Sequence, residues 1–371
     1  MKNRTLIVTA HPDDETLWFS SITMRKECDL VCVTCGSNSR ESVIRETELR
    51  QAAHILNIKN LYILKYNDIF RQRLDVAKLK NDLEKLKLNS YREVYTHGPF
   101  GDTNEHFHHQ DVCYAVNMVF ESVKCTAWNI YPDEVNTLTS AEYALKKSIM
   151  GTIYFREYKK LKSTYELSSI EKFVSLSRDS IEIFYWAIAN FGDRHEVLGK
   201  KFRNIWGYDL SPYEIERHGA IVKLASSVKP RKIIEIGSGE GYLTDKLATI
   251  STKISCVEKA PIYVSTLREK GYTVIKSFDS SKFDLVVIAS VLEYIDNPED
   301  FLRSIKSKYI IVETIKSEYL KKVVSILKKK YSLIEKISVL PRWEKMYHGN
   351  KTEKMEVYRL GADVYLFGPH E

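Results

Sequence analysis

The sequence predicts an α/β protein of two doubly wound domains, each a mostly parallel sheet with helices on both faces. Three observations carry that expectation. At 371 residues the chain exceeds one ordinary hydrophobic core, since single cores stop growing at roughly 250–300 residues. Short apolar runs alternate with helix-period segments in two separate series, and such alternation builds parallel sheets covered on both faces. Each series also carries a polar loop directly after a strand, where ligands gather in sheets of this kind. The expected divisions are residues 1–162, a helical connector at 163–199, and residues 200–371.

The first series opens at Leu6-Ile7-Val8, a buried strand that runs into Ala10-His11-Pro12-Asp13-Asp14-Glu15. Leu30 to Val33 is the second strand. It leads into the turn-rich Gly36-Ser37-Asn38-Ser39 and a helix in which Arg45, Glu48, Ala52, Ala53 and Leu56 recur at helical spacing. Leu61 to Leu64 gives a third strand, Val76 to Leu88 a charged amphipathic helix, and Glu93 to Thr96 a fourth strand. A loop rich in glycine, proline and aspartate, Thr96 to Glu105, then delivers His106-Phe107-His108-His109.

A hydrolytic zinc site wants three His, Asp or Glu ligands and an open position for water. His11 and Asp14, on the turn after the first strand, together with His109 would supply them. Asp13 then stays beside the metal as general base for the bound water, whose pKa zinc lowers toward neutrality. His106, one helical turn before His109, could give a hydrogen bond or a proton to the oxyanion and the leaving amine. Alone, each stretch has a plainer explanation, a proline-aspartate turn or a solvated helix start. That both follow strands of one sheet is what points to a metal.

These stretches resemble the PIG-L/LmbE family of zinc-dependent N-acetylglucosamine deacetylases. Ala10 to Glu15 matches the family's Ala-His-Pro-Asp-Asp-Glu without a change. Arg45, Glu48, Ala52, Ala53 and Leu56 match its helix pattern, with Asn57 where a glycine is usual. His106 and His109 match its His-x-x-His, in a loop similar to its Thr-His-x-Pro-x-Gly segment at Thr96 to Gly101. The sequence departs from the family at Thr103-Asn104-Glu105, where a Tyr-Gly pair often precedes the first histidine. The resemblance spans about residues 1 to 160. It implies zinc held by His11, Asp14 and His109, Asp13 as general base, His106 polarising the amide carbonyl, and an N-acetylated amino-sugar substrate.

Residues 163–199 read as Ser/Glu/Lys-rich helical sequence whose aromatic cluster, Phe184-Tyr185-Trp186, docks the connector onto a domain. The second series begins at Arg231 to Ile236, a strand followed by Gly237-Ser238-Gly239-Glu240-Gly241 and a helix from Tyr242. Glycines there permit φ > 0 and close approach of the backbone to a ligand. The next strand, Ile254 to Val257, ends in Glu258, about twenty residues beyond the glycines, where a carboxylate accepts ribose hydroxyls. Phe283 to Ile288 and Lys308 to Glu313 are further strands, the first running into Ala289-Ser290-Val291-Leu292-Glu293-Tyr294. The tail, from Leu340-Pro341-Arg342-Trp343 to Tyr365-Leu366-Phe367, is expected as a closing antiparallel hairpin with an inserted polar loop.

The Gly-x-Gly-x-Gly turn after an acidic strand position resembles class I S-adenosylmethionine-dependent methyltransferases, and Leu292-Glu293-Tyr294 fits the same family. Trp206-Gly207-Tyr208 and Ser211-Pro212-Tyr213-Glu214 are similar to a segment of nodulation-type N-methyltransferases, which methylate the amine of a deacetylated glucosamine unit. Both resemblances imply Rossmann-type domains. The second, over about residues 200 to 371, implies that Glu235, Gly237 and Gly239 line the methionine portion of S-adenosyl-L-methionine, with Gly241 completing the turn. It implies further that Glu258 holds the ribose and Asp279 approaches the adenine, while Tyr208, Tyr213 and Glu214 cover the cofactor or face the acceptor. Glu293 is a candidate to take the ammonium proton, or else a helix-start carboxylate. Methyl transfer to a neutral amine needs chiefly alignment and exclusion of water.

Composition narrows the function classes. The net charge of +7 comes from 56 basic and 49 acidic residues that are well mixed, which describes a solvated surface rather than a nucleic-acid groove. No apolar run approaches the roughly 18–20 residues that span a bilayer. Met1 to Val8 reaches His11 too soon to hold a signal peptide, so a cytoplasmic protein is expected. Cys28, Cys32, Cys35, Cys113, Cys125 and Cys256 form no paired framework and read as buried free thiols. The expected function is bifunctional: hydrolysis of the acetamide of an N-acetylhexosamine, then methylation of the exposed amine. Free, nucleotide-linked, lipid-linked and polymeric sugars all fit. Two alternatives stay open, methylation of a hydroxyl of the glycan or of another small molecule, and a second half that binds cofactor or sugar without catalysis.

Overall fold

A computed structural model describes residues 4–69, 72–87, 91–102, 106–162, 166–188, 194–314 and 317–370. Its contacts divide the chain into two units, residues 1–190 and 191–371. In the first unit β1 (Thr5–Thr9), β2 (Cys28–Thr34), β3 (Asn60–Tyr66), β4 (Glu93–Thr96), β5 (Val123–Thr126), β6 (Glu134–Thr137) and β7 (Ile170–Ser175) form one sheet, ordered β3-β2-β1-β4-β5-β7-β6. The first five strands run parallel, and β7 is antiparallel to both β5 and β6. Every residue of β1 and β2 is buried. Both faces of these strands are covered, which is why they read as unbroken apolar runs.

The first unit reaches into residues expected as a helical connector, because β7 lies there and is followed by the helix Arg178–Ile188. Glu171 fastens that strand. Its carboxylate accepts from Ser20 N, Ser21 N and Ser21 Oγ and pairs with Lys146 Nζ at 2.8 Å, while Lys146 also donates to Leu17 O. The aromatic cluster docks in the expected way: Phe184 packs on Phe100, and Tyr185 stacks on Tyr114 at 4.1 Å and donates to Asp111 Oδ1.

The second unit holds β8 (Lys232–Ile236), β9 (Lys253–Val257), β10 (Thr273–Val274), β11 (Leu285–Ala289), β12 (Tyr309–Thr314), β13 (Ser332–Val339), β14 (Arg342–His348), β15 (Lys351–Arg359) and β16 (Ala362–Gly368). Its main sheet is ordered β10-β9-β8-β11-β12-β16-β13, and β14 and β15 form a separate pair. Strands β8 to β12 are parallel, and β16 is antiparallel to its two neighbours. Alternation sends side chains to two covered faces. Ile233, Val287, Ile311 and Leu366 meet Ile221 and Leu224 of the helix Pro212–Ser227. Ile234, Val286, Ile310 and Phe367 meet Leu302, Val323 and Leu327 of the helices Pro298–Ser304 and Ser317–Leu327. Each such side chain stabilises the fold by roughly 1.5–3 kcal/mol.

The tail differs from expectation. The closing antiparallel pair is β13 with β16, beginning at Ser332 rather than Leu340. Arg342 to Arg359 form a hairpin in place of a polar loop, its inward positions Met346, Met355 and Val357 buried behind charged outward neighbours. All six cysteines are buried and free. Among the described residues no helix is long and apolar enough to cross a membrane.

Candidate active sites

β1 lies between β2 and β4, and its carboxyl end releases the chain as His11-Pro12-Asp13. Asp13 takes φ +100°, a left-handed conformation unfavourable for a residue with a side chain. Its neighbours hold it there. Asp13 N donates to Glu15 Oε2 at 3.0 Å, and Arg45 Nη2 donates both to Asp13 Oδ2 at 3.1 Å and to the Pro12 carbonyl. Glu15, fully enclosed, accepts further from Thr16 Oγ1 and Tyr154 OH. Arg45 pairs in turn with Glu48. The Arg-x-x-Glu of the helix Ser39–Ile55 thus braces the turn, while Ala52 and Leu56 seat that helix on the core.

The histidine loop supplies the other wall, with His106 at the start of the helix Phe107–Val119. His11 Nδ1 lies 3.1 Å from His109 Nε2 and 3.3 Å from Asp14 Oδ2, and His109 Nε2 lies 3.5 Å from Asp14 Oδ1. Hydrogen bonds behind the rings fix their tautomers. The Gln72 carbonyl only accepts, so His108 Nε2, 2.9 Å away, bears the proton and His108 Nδ1 is an acceptor. His11 Nε2, 3.0 Å from that Nδ1, is the donor, and His11 Nδ1 keeps its lone pair. Ala10 N donates to His97 Nε2, so His97 donates from Nδ1 to Asp102 Oδ2. Asp102 Oδ2 also accepts from His109 Nδ1 at 2.6 Å. Against the burial that would raise it, these two bonds hold the Asp102 carboxyl well below the usual carboxylate range. His109 Nε2 is therefore unprotonated as well.

Three lone-pair donors consequently face one another: His11 Nδ1, the Asp14 carboxylate and His109 Nε2. Buried donors so arranged repel unless a cation lies among them. Ligands of one tetrahedral centre at about 2 Å stand roughly 3.4 Å apart, and the spacings here agree, so these residues fit a metal ion. His97 with Asp102, and His106 with His108, also approach metal-binding distances, but the bonds to Asp102 and Gln72 already commit His97 and His108.

Asp13 and His106 line the same cleft, about 360 Å³ in volume. Burial pushes the Asp13 carboxyl up to about 7, with Arg45 opposing and the Asp14 and Glu15 charges adding. Burial, the largest influence on it, brings His106 down to about 2. A neutral imidazole there can donate a hydrogen bond to an oxyanion. Sequence reading assigned no role to Asp102, His97, His108 or Glu15. Asp102 carried a usable signal, an aspartate in the strand-end loop seven residues before His109; the others act through contacts between distant segments.

In the second unit the glycine turn joins β8 to the helix Tyr242–Leu247. Gly237, Gly239 and Gly241 take φ of +74°, +52° and +84°. A Cβ on Gly237 would come within 2.4 Å of Val291, whereas one on Gly239 would enter open space. Gly237 is thus required by packing, and Gly239 opens on room for a ligand. Gly239 N donates to Glu258 Oε2 at 2.8 Å, and Glu258 Oε1 accepts from Lys259 N and Ala260 N. The carboxylate is fixed at the end of β9 facing the turn, with lone pairs to spare for hydroxyls. Glu235, beneath the turn, accepts from Thr244 Oγ1, and burial pushes it up to about 7. Tyr208 packs on Tyr242 at 5.3 Å, and Asn204 N donates to Glu240, tying that segment to the turn. The open space and the Glu258 carboxylate fit an adenosyl cofactor.

Asp279 is not gathered there. Asp279 caps the 3₁₀ turn Ser280–Lys282, and its Oδ1 accepts from Ser281 N and Oγ. That turn enters the amino end of β11, where Ser280 Oγ accepts from Lys306 N, so Asp279 sits at the end of the sheet opposite the glycines. Glu293 belongs to the 3₁₀ turn Leu292–Tyr294, and its side chain lies outside the described residues, as do Thr103, Asn104 and Glu105. Glu214 is engaged by Arg217, which also binds Glu313 at 2.8 Å, and the buried Tyr213 lies beneath Arg342 and Arg359.

A family model described as GlcNAc-PI de-N-acetylase (PIG-L) matches residues 6–120, and one described as a methyltransferase domain matches residues 218–343. Over 73 residues the chain is 36% identical to N-acetylglucosaminyl-phosphatidylinositol de-N-acetylase of Bos taurus, covering 18% of this chain and 29% of that protein. Over 115 residues it is 24% identical to the mitochondrial ubiquinone biosynthesis O-methyltransferase of Schizosaccharomyces pombe, covering 26% of this chain and 42% of that protein. The chain therefore spans less than half the length of either curated relative. Among solved structures, the N-methyltransferase NodS from Bradyrhizobium japonicum in complex with S-adenosyl-L-homocysteine is similar at 17% identity and a TM-score of 0.38, covering 48% of this chain and 98% of that one.

Proposed function

We propose that this chain, which carries an N-terminal PIG-L de-N-acetylase domain and a C-terminal class I methyltransferase domain, deacetylates an N-acetylated amino sugar and then methylates the exposed amine with S-adenosyl-L-methionine. The observation that carries the hydrolytic half is the convergence of the lone pairs of His11, Asp14 and His109. A zinc ion held there would supply Lewis acidity and ease deprotonation of water. Asp13, pinned by Arg45, accepts the proton of the attacking water and returns it to the departing amine, one carboxyl serving as base and then acid. His106 donates a hydrogen bond to the carbonyl oxygen as charge gathers on it. His108 and Asp102 keep the ligand nitrogens unprotonated and aimed inward.

In the second half Glu258 and the glycine turn orient the cofactor, and Tyr208 with Tyr242 walls its site from water. An amine freshly released from its acetyl group is a nucleophile that needs alignment rather than a strong base, which is why the two activities suit one chain. Methylation of a hydroxyl is the second reading, favoured by the match to an O-methyltransferase. Mass spectrometry of N-acetylglucosamine compounds incubated with protein, zinc and S-adenosylmethionine separates them. Loss of about 42 mass units followed by gain of about 14 is the expected outcome, and gain without prior loss selects the hydroxyl. Acetate release that persists in Asp13→Asn would overturn the hydrolytic assignment.

A further inference from the structure

The cleft that holds His11, Asp13 and His106 continues beyond them. It shares Glu41, Arg45, Glu157 and Lys160 with a wider cleft of about 800 Å³ lined by residues of the helices Ser39–Ile55 and Phe155–Leu161. Five cationic side chains line that cleft against three carboxylates. Each carboxylate is already engaged: Glu41 by Ser37, Glu48 by Arg45 and Glu157 by Lys160. Arg40, Arg156 and Lys159 are exposed to the cleft, and none has an ion pair or side-chain hydrogen bond among the described residues. Phe155, 57% exposed, belongs to the same lining.

Surface cations of an ordinary solvated helix tend to find carboxylates at three- or four-residue spacing. Here the carboxylates are taken and the cations converge on a concavity that opens into the hydrolytic site. Guanidinium forks match phosphate oxygens two at a time, and an exposed ring offers a face for a sugar or base. We propose that this basic cleft is a subsite for a phosphate or diphosphate group attached to the amino sugar, so that the first unit acts on a phosphate-linked N-acetylhexosamine rather than a neutral glycan. The proposal rests on the deacetylase reading and specifies its substrate.

The test compares acetate release by the zinc-loaded full chain from N-acetylglucosamine 1-phosphate, its uridine-diphosphate-linked form and N-acetylglucosamine itself. The expected kcat/KM is about tenfold or more higher for a phosphorylated sugar, with the advantage falling as salt rises. The two phosphorylated sugars separate a simple phosphomonoester from a nucleotide-linked carrier. In the triple variant Arg40→Gln, Arg156→Gln, Lys159→Gln the ratio of phosphorylated to neutral kcat/KM should fall toward one, and a ratio does not depend on how much protein folds. Titration with inorganic pyrophosphate, which involves no acetyl chemistry, should show binding weakened about tenfold in the variant. Equal kcat/KM for neutral and phosphorylated sugars, or equal pyrophosphate binding by variant and parent, overturns the proposal. If no sugar releases acetate, the deacetylase reading fails, and the pyrophosphate titration still decides whether the cleft takes phosphate.

Discussion

His108 presents no lone pair to the candidate metal position, yet together with the Asp68 carboxylate, 3.5 Å from His11 Nε2, it holds the His11 proton on the outer nitrogen. Its Nε2–H is spent on the Gln72 carbonyl and its Nδ1 accepts from His11. Replacing His108 by phenylalanine removes the nearer of the two acceptors, leaving only Asp68 at 3.5 Å, and weakens the hold on the outer proton of His11. Zinc affinity, read by competition with a chromophoric chelator and needing no turnover, should weaken by about 10- to 100-fold. His108→Asn, whose amide oxygen can still accept, should recover part of it. Equal affinity in all three proteins would mean that His108 does not set the tautomer. The grouping of the candidate ligands was legible because His11 and Asp14 share one turn and His109 follows a later strand-end loop. Apart from Asp102, the groups behind it were not, since His108 meets Gln72 across 36 positions and His97 meets Ala10 across 87. Residue types can be read from a sequence, whereas which distant carbonyl backs a ring depends on the register of the sheet.

Among the elements, the parallel strands other than β5 and β10 were legible from apolar runs, and the helices Ser39–Ile55 and Val76–Lys87 from their period. β7 was hidden for a physical reason: an inward position of a short strand is filled by Glu171, a charge that pattern reading places outside. The exchange is explained only by the fully enclosed Lys146 on the helix Ser140–Thr152. A buried pair of this kind is valuable chiefly as a pair. Glu171→Ala leaves the Lys146 ammonium without a counter-charge and orphans Ser20 N and Ser21 N, so the first unit should lose about 3–5 kcal/mol in urea unfolding. The double variant Glu171→Leu, Lys146→Met should recover most of that. A loss below about 1 kcal/mol in the single variant would mean that water reaches the pair and that β7 is held by its ladder bonds alone. The hairpin β14–β15 escaped sequence reading because lysine and glutamate at its outward positions mask the buried Met346, Met355 and Val357.

At the scale of the whole molecule, every residue of the hydrolytic site comes from the first unit and every residue of the cofactor site from the second. The two chemistries are therefore separable in a single preparation, and the order in which they act can be read from that separation. Removing metal with a chelator should abolish acetate release, because His11, Asp14 and His109 then face one another with nothing to bind water. It should leave S-adenosylmethionine affinity unchanged, since Glu235, Gly237, Gly239 and Glu258 all belong to the second unit. Metal-stripped protein given the N-acetylated sugar should transfer no methyl group, for an acetamide nitrogen delocalises its lone pair into the carbonyl and is a poor nucleophile. The same protein given the corresponding free amino sugar should methylate it, because the amine is supplied ready-made. Methylation of the acetylated sugar by metal-stripped protein would place the acceptor at a hydroxyl and uncouple the two units. Methylation confined to the free amine would show that the product of the turn at His11 to Asp14 is what the glycine turn exists to use.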